Sequence, residues 1–272
     1  MMRLLRIIIS LLFVAATGLF CFYWYRAEIK EDKTIPVITI ENEMLEVPLD
    51  ASNEDLLVGV SALDAKDGDL TNRVIVESIS KFTDKGICKV YYAVCDSDNH
   101  VASASRKITY KGYTSPRFYM NRSLCFSQLE SIDAASVIGA KDVIDGDISS
   151  NIIITSSDYE YGVSGTYTVK AEVSNSKGDR ISISLPMIVE DRNINAPEIV
   201  LSDYLIYVKK GTQIDPMKYF ISAKDSYEQE VYSTLFLENN YQKDQEGVYS
   251  FHYYATDQLL RQGHSVLTVV VE

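Results

Sequence analysis

Histidine, tryptophan and clustered positive charge are scarce in this chain of 272 residues. There are three histidines, one tryptophan, and 26 Lys and Arg against 38 Asp and Glu, a formal net charge of -12. Without a Lys/Arg-rich run there is no footprint for phosphate backbones, so nucleic acid is excluded as a partner. His100, His252 and His264 stand in no His-Glu-x-x-His spacing, no phosphate-cradling glycine loop is present, and Gly162-Val163-Ser164-Gly165 is not a nucleophile elbow. No nucleophile and base converge in the sequence, so the chain reads as non-enzymatic, with no catalytic residue and no cofactor-binding motif. The four cysteines, Cys21, Cys88, Cys95 and Cys125, build no disulfide framework. Cys88 and Cys95 lie an odd number of residues apart on one strand and face opposite ways.

What is present begins with an uncharged apolar run from Ile7 to Tyr25, long enough to cross a hydrocarbon core as a helix. Tyr23, Trp24 and Tyr25 crowd one end at the level suited to a headgroup layer. A cleaved signal peptide is the competing reading, but the run exceeds the usual apolar region and no small-x-small site precedes Arg26. The reading is a retained single-pass anchor over residues 7–25, with a cytoplasmic N-terminus at 1–6 and a juxtamembrane linker at 26–34.

The rest of the chain repeats. Strand-like segments open at Pro36, Pro116 and Pro197, each followed by an acidic turn: Asp64, Asp67, Gly68, Asp69, then Asp142, Asp145, Gly146, Asp147, then the altered Asp225, Glu228, Gln229, Glu230. Gly86, Gly165 and Gly247 each start a strict alternation, Cys88-Val90-Tyr92-Val94, Tyr167-Val169-Ala171-Val173 and Tyr249-Phe251-Tyr253-Ala255. Period two buries one face of a strand. Ten residues after each glycine stands a turn-former, Asp96, Asn175 or Asp257. Short strands at regular spacing with Gly, Asp and Asn turns indicate sandwiches. The fold class is therefore all-β, three tandem Ig-like β-sandwich domains behind one transmembrane helix, at 35–112, 113–192 and a divergent 193–272.

The first copy, from Ala62-Leu63-Asp64-Ala65-Lys66-Asp67-Gly68-Asp69-Leu70-Thr71 through Asp96-Ser97-Asp98-Asn99 to Arg106-Lys107-Ile108, resembles the bacterial Ig-like modules of pesticidal-crystal-protein type, which look related to hyalin repeats. It departs from them at Cys88, where those modules usually have Tyr. The second copy keeps Asp145-Gly146-Asp147 and Gly165-Thr166-Tyr167, and the third keeps Gly247-Val248-Tyr249 and Asp257. The resemblance implies a bacterial cell-surface setting, with the modules extracellular, the N-terminus inside, and a role as stalk and adhesion surface toward a surface-protein or glycan partner.

Two ligand readings follow from the residues. Asp64, Asp67, Asp69, Asp142, Asp145 and Asp147 offer hard oxygens for calcium, although the spacing is not that of an EF-hand and Asp-Gly is a turn signal in its own right. Asp96 and Asp98 join such a site only if folding brings their loop to it. A Tyr-rich face in the third copy, with Tyr204, Tyr207, Tyr219, Tyr227, Tyr232 and Tyr241, supports the alternative of a carbohydrate or cell-wall binding protein.

Overall fold

The computed structural model describes residues 2–30 and 34–272; the side chains of 2–6, 27–30 and Ser233 are not described. Residues 31–33 of the expected linker and Met1 therefore lie outside the described residues, as do the side chains of the expected cytoplasmic N-terminus. The chain divides into two compact units, Met1–Lys111 and Gly112–Glu272.

The first unit opens with α1 (Met2–Lys30). Its stretch Ile7–Arg26 is long and apolar enough to cross a membrane, a test that a signal sequence also passes. Every side chain in that stretch is exposed, which separates it from the core helix of a soluble domain.

One sandwich follows, built from β1 (Val37–Ile40), β2 (Met44–Val47), α2 (Asn53–Leu57), β3 (Val60–Asp64), β4 (Gly68–Asp69), β5 (Ile75–Ile79), β6 (Ile87–Cys95) and β7 (Val101–Tyr110). β1-β3-β4 form one sheet and β2-β7-β6-β5 the other, with β2 parallel to β7. The alternation in β6 has its expected consequence: Cys88, Val90, Tyr92 and Val94 are buried, while Cys95 is only half-buried. Ser52 starts α2 with a capping box, in which its hydroxyl accepts from Asp55 N and the Asp55 carboxylate accepts from Ser52 N. Tyr92 donates from its hydroxyl to the Leu56 carbonyl at 2.7 Å, and the buried Arg106 joins the same carbonyl at 2.8 Å, pinning that loop to the core.

The second unit holds two further sandwiches. The first of them comprises β8 (Arg117–Met120), β9 (Cys125–Ser127), α3 (Ala134–Val137), β10 (Ile138–Asp142), β11 (Gly146–Asp147), β12 (Ile153–Ser157), β13 (Gly165–Ser174) and β14 (Arg180–Glu190). The second comprises β15 (Glu198–Leu201), β16 (Leu205–Val208), β17 (Phe220–Lys224), β18 (Phe236–Asn239), β19 (Gly247–Thr256) and β20 (Gln262–Val271). Strand order repeats copy by copy, with larger sheets β12-β13-β14-β9 and β18-β19-β20-β16 matching β5-β6-β7-β2. Even a register shift recurs, between Val76 and Ser78 in the first copy and between Ile154 and Ser156 in the second.

The second and third sandwiches share packing. Leu205 of β16 belongs to the core of the second, and the Tyr207 hydroxyl accepts from Phe118 N at 3.3 Å while its ring lies under the Arg117 guanidinium. Strand β20 shows the consequence. Whereas β14 alternates in burial, Gly263 to Val269 of β20 are buried without a break. One face of β20 covers its own core, and the other meets the second sandwich, where Val266 N donates to Ser123 Oγ at 3.0 Å.

Candidate functional sites

The acidic turns are built as backbone locks. Asp64 Oδ1 accepts from Lys66 N and Asp67 N, both at 2.8 Å, and Asp142 Oδ1 accepts from Ile144 N and Asp145 N at 2.8 and 3.0 Å. Gly68 and Gly146 then take φ of 74° and 73°, the left-handed conformation the turn requires. Asp67 receives Ser97 N and Oγ on its two oxygens at 2.6 and 2.8 Å, and Asp145 receives Ser176 N and Oγ at 2.6 and 2.7 Å. Asp69 and Asp147 accept from Thr71 N and Ser149 N, and hydrogen bonding from the hydroxyls and then the N–H groups of Thr71 and Ser149 holds both carboxyls below the usual carboxylate range. Folding does bring the Asp96–Asp98 hairpin to this turn, where Lys66 pairs with Asp98.

One oxygen breaks the pattern. Asp142 Oδ2 accepts from the Asn175 amide at 3.1 Å, but the matching residue in the first copy is Asp96, which has no amide to give. Among the described residues the buried Asp64 Oδ2 has no hydrogen-bond partner. Burial alone pushes the Asp96 carboxyl up, yet the N–H groups of His100 and Asp98 and the His100 ring outweigh it and hold Asp96 low.

The hairpins following the turns are superposable in bonding and different in surface. Asp96 N, Asn175 N and Asp257 N donate to the carbonyls of His100, Asp179 and Arg261 at 3.1, 3.0 and 3.1 Å. The fourth position of each hairpin is left-handed: Asn99 at φ 70°, Gly178 at 84° and Leu260 at 58°. Asn and Gly suit that conformation, while a leucine in it is strained. Leu260 is also 85% exposed and its neighbour Leu259 is 63% exposed, where the other copies have Asp98 and Lys177. Arg261 ties this hairpin to the altered acidic turn through Ser226 Oγ at 3.0 Å, and Thr234 Oγ1 donates to the Thr256 carbonyl at 2.7 Å. Tyr227 and Tyr232, both exposed, stand on those tied loops. Of the Tyr-rich set named from sequence, these two are exposed, while Tyr204, Tyr207, Tyr219 and Tyr241 are half-buried. Tyr241 instead donates to the Thr212 carbonyl at 2.8 Å and packs edge-on against Tyr249.

A second constellation lies between the second and third sandwiches, at a cleft of about 420 Å³ whose lining includes Cys125, Glu130, Arg192 and His264. Cys125 Sγ is 3.3 Å from His264 Nδ1 and 3.6 Å from Glu190 Oε1, and His264 Nδ1 is 3.0 Å from Glu190 Oε2. Burial and the neighbouring Glu190 charge push the Cys125 thiol up. Burial also pushes at the Glu190 carboxyl, but the His264 hydrogen bond and charge together with Arg192 hold it below its ordinary value. His252 is on the outward face of β19, as its place in the alternation implies, yet it is half-buried and bonds through Nδ1 to His264 Nε2 at 3.0 Å. Burial, then the neighbouring His264, push its pKa down. Tyr254 stacks on His264 with centroids 4.3 Å apart, and Phe236 stacks on Tyr254 at 6.1 Å. Sequence reasoning missed this cluster because its members are 65 and 139 positions apart, with no local spacing to betray them.

No family model matches the chain. Pesticidal crystal protein Cry22Aa of Bacillus thuringiensis is 26% identical over 255 residues, covering 89% of this chain and 34% of that protein. The chain thus spans about a third of the length of the curated relative it matches. Among solved structures, the CBM51-2 and INT domains of Clostridium perfringens ZmpB, in complex with GlcNAc, align over 54% of this chain and 26% of that one at 19% identity and a TM-score of 0.23. Drosophila N-cadherin EC1-4 aligns over 89% and 76% at 13% identity and a TM-score of 0.23.

Proposed function

We propose that this protein is a non-enzymatic interaction module, held at a membrane by α1 and displaying its sandwiches outside, with the loop tip of the third sandwich as its contact surface. The observation that carries the reading is Leu260. It occupies a left-handed position filled by Asn99 and Gly178 in the sister hairpins, and it is exposed. Backbone strain and an exposed apolar side chain are both unfavourable for the isolated fold. Their coincidence at a loop tip, beside Leu259, Tyr227 and Tyr232, is what a binding surface retains at the expense of stability. The pair of leucines suits a protein partner with an apolar pocket better than the polar face of a sugar.

The test separates stability from binding. Leu260→Asn restores the residue type of the first copy and should stabilise the fold by about 1 kcal/mol, since a left-handed leucine costs roughly 1–2 kcal/mol. Combined with Leu259→Asp, it should cut co-sedimentation of the purified chain with intact bacterial cells by at least ten-fold. Retention of both variants at the wild-type level sinks the reading, and retention on protein-free peptidoglycan in place of cells moves the partner to the glycan class.

The remaining features fit a scaffold. The carboxylates that resemble a catalytic or calcium set recur in the first two copies with most of their oxygens hydrogen-bonded to the turn and its neighbouring hairpin, which is the work of a turn. Calcium coordination by Asp64, Asp67 and Asp69 or by Asp142, Asp145 and Asp147 competes with those hydrogen bonds everywhere but at the unpartnered Asp64 Oδ2, and melts in calcium and in chelator test it.

A further inference from the structure

We infer that Cys125, Glu190 and His264 form a binding site for a borderline divalent metal ion of the zinc class, clamping the second sandwich to the third. The three side chains come from β9, β14 and β20, and their ligand atoms all lie within 4.8 Å of one another. A tetrahedral zinc with bonds of about 2.3 Å to sulfur and about 2.0–2.1 Å to nitrogen or oxygen sets its ligand atoms roughly 3.3–3.6 Å apart. Sulfur and nitrogen are 3.3 Å apart and reach different oxygens of Glu190, the sulfur Oε1 at 3.6 Å and the nitrogen Oε2 at 3.0 Å, so a bidentate carboxylate closes the set with small shifts and a monodentate one closes it by turning. Thiolate, imidazole and carboxylate together select zinc-like ions over calcium or magnesium, which take oxygen ligands.

The surroundings are those of a metal site. With Nδ1 turned to the ion, His264 Nε2 carries the proton and donates it to His252 Nδ1 at 3.0 Å, which fixes both tautomer and ring orientation. Stacking of Tyr254 on the ring adds a second restraint. Arg192 donates to the carbonyl of His264 at 2.7 Å and approaches that of Cys125 at 3.5 Å, holding two ligand strands in place from behind. Its positive charge faces Glu130 at 3.4 Å as well as Glu190, so the two carboxylates and a thiolate outweigh it. Cys125 and His264 both line the cleft, leaving the fourth position to water or a ligand from outside. Metal uptake releases the Cys125 thiol proton to solvent and forms the sulfur–metal bond. This site is independent of the leucine tip.

The experiment is cobalt titration of the reduced full-length chain in detergent. We expect a thiolate-to-cobalt charge-transfer band that saturates at one equivalent and disappears on adding zinc. Cys125→Ser should abolish the band, His264→Gln should weaken binding by more than 100-fold, and His252→Gln by about 10–100-fold, the usual range for a residue that orients a ligand. Should Cys125→Ser fail to fold, the wild type still decides: zinc must protect Cys125 from alkylation, read by peptide mass. Absence of the band, its persistence in a folded Cys125→Ser, or equal alkylation with and without zinc overturns the site.

Discussion

Asn175→Asp converts the second sandwich to the arrangement of the first, and its cost follows from two hydrogen bonds. The Asn175 amide donates to Asp142 Oδ2 at 3.1 Å and to the Tyr113 hydroxyl at 2.9 Å. Asp142 is 7% exposed, so water cannot replace the lost donor freely. An acceptor left unpaired in such a place costs about 1–3 kcal/mol, and the new carboxylate adds repulsion toward Asp142. A loss of about 2–3 kcal/mol is expected, or roughly 4–12 °C in melting temperature for a unit of this size. The reciprocal change, Asp96→Asn, offers an amide to the orphaned Asp64 Oδ2 and should stabilise the first sandwich. Its gain is smaller, because the contact of Asp96 with His100 Nδ1 at 2.8 Å weakens. Hydrogen exchange of β6 and β13 amides reads the two units separately in one full-length sample. An Asn175→Asp chain that melts like the wild type, or an Asp96→Asn chain that loses protection in β6, refutes the reasoning. The same melts in calcium and in chelator should coincide; a calcium-dependent rise in the wild type that Asp67→Ala removes returns these turns to the metal-binding reading.

Gly263→Ala should destabilise the third sandwich by about 1–3 kcal/mol, because an added Cβ meets the Pro197 carbonyl oxygen at 1.9 Å and backbone cannot swing aside, as urea midpoints will show. His252, whose pKa is depressed in the fold, makes stability depend on pH: below the unfolded value of about 6.5 the unfolded chain takes up the proton more readily, so stability falls as pH drops toward the folded value. His252→Gln should flatten that region of a urea-midpoint profile, and an unchanged slope counts against it. The carboxyls of Asp69 and Asp147 act lower. Their contribution is present above about pH 4 and is lost as pH falls through their depressed folded values, so Asp69→Asn should move only the acid limb.

Much of the architecture was legible because it is written in local periodicity. The alternation after Gly86, Gly165 and Gly247 specifies which face of β6, β13 and β19 is buried, and the acidic turns announce themselves through Asp-Gly. The packing of the third sandwich on the second was not legible, because only contact with Ser123 and Cys125 explains why β20 loses its alternation. The histidines looked inert for the same reason: His264 has no ligand at helical or strand spacing, and its partners reach it from other strands. Leu260 lies between these cases. Aligning the hairpins puts it beside Asn99 and Gly178, so the mismatch was in the sequence, but its meaning needed the shared left-handed backbone. The acidic turns were visible as carboxylates, but sequence shows charge without showing the main-chain amides bonded to most of their oxygens.

Display of the sandwiches outside the membrane is the premise on which the interaction role stands, and one labelling measurement tests it. Tyr161 is 92% exposed in the loop between β12 and β13, so Tyr161→Cys in a Cys21→Ser, Cys95→Ser background places a reactive thiol on the surface, read from the mass of its own peptide so that Cys125 in its cleft is scored apart. A membrane-impermeant maleimide should modify that cysteine on intact cells as completely as after lysis, and the chain should remain in the membrane fraction. Labelling that appears only after lysis contradicts the account.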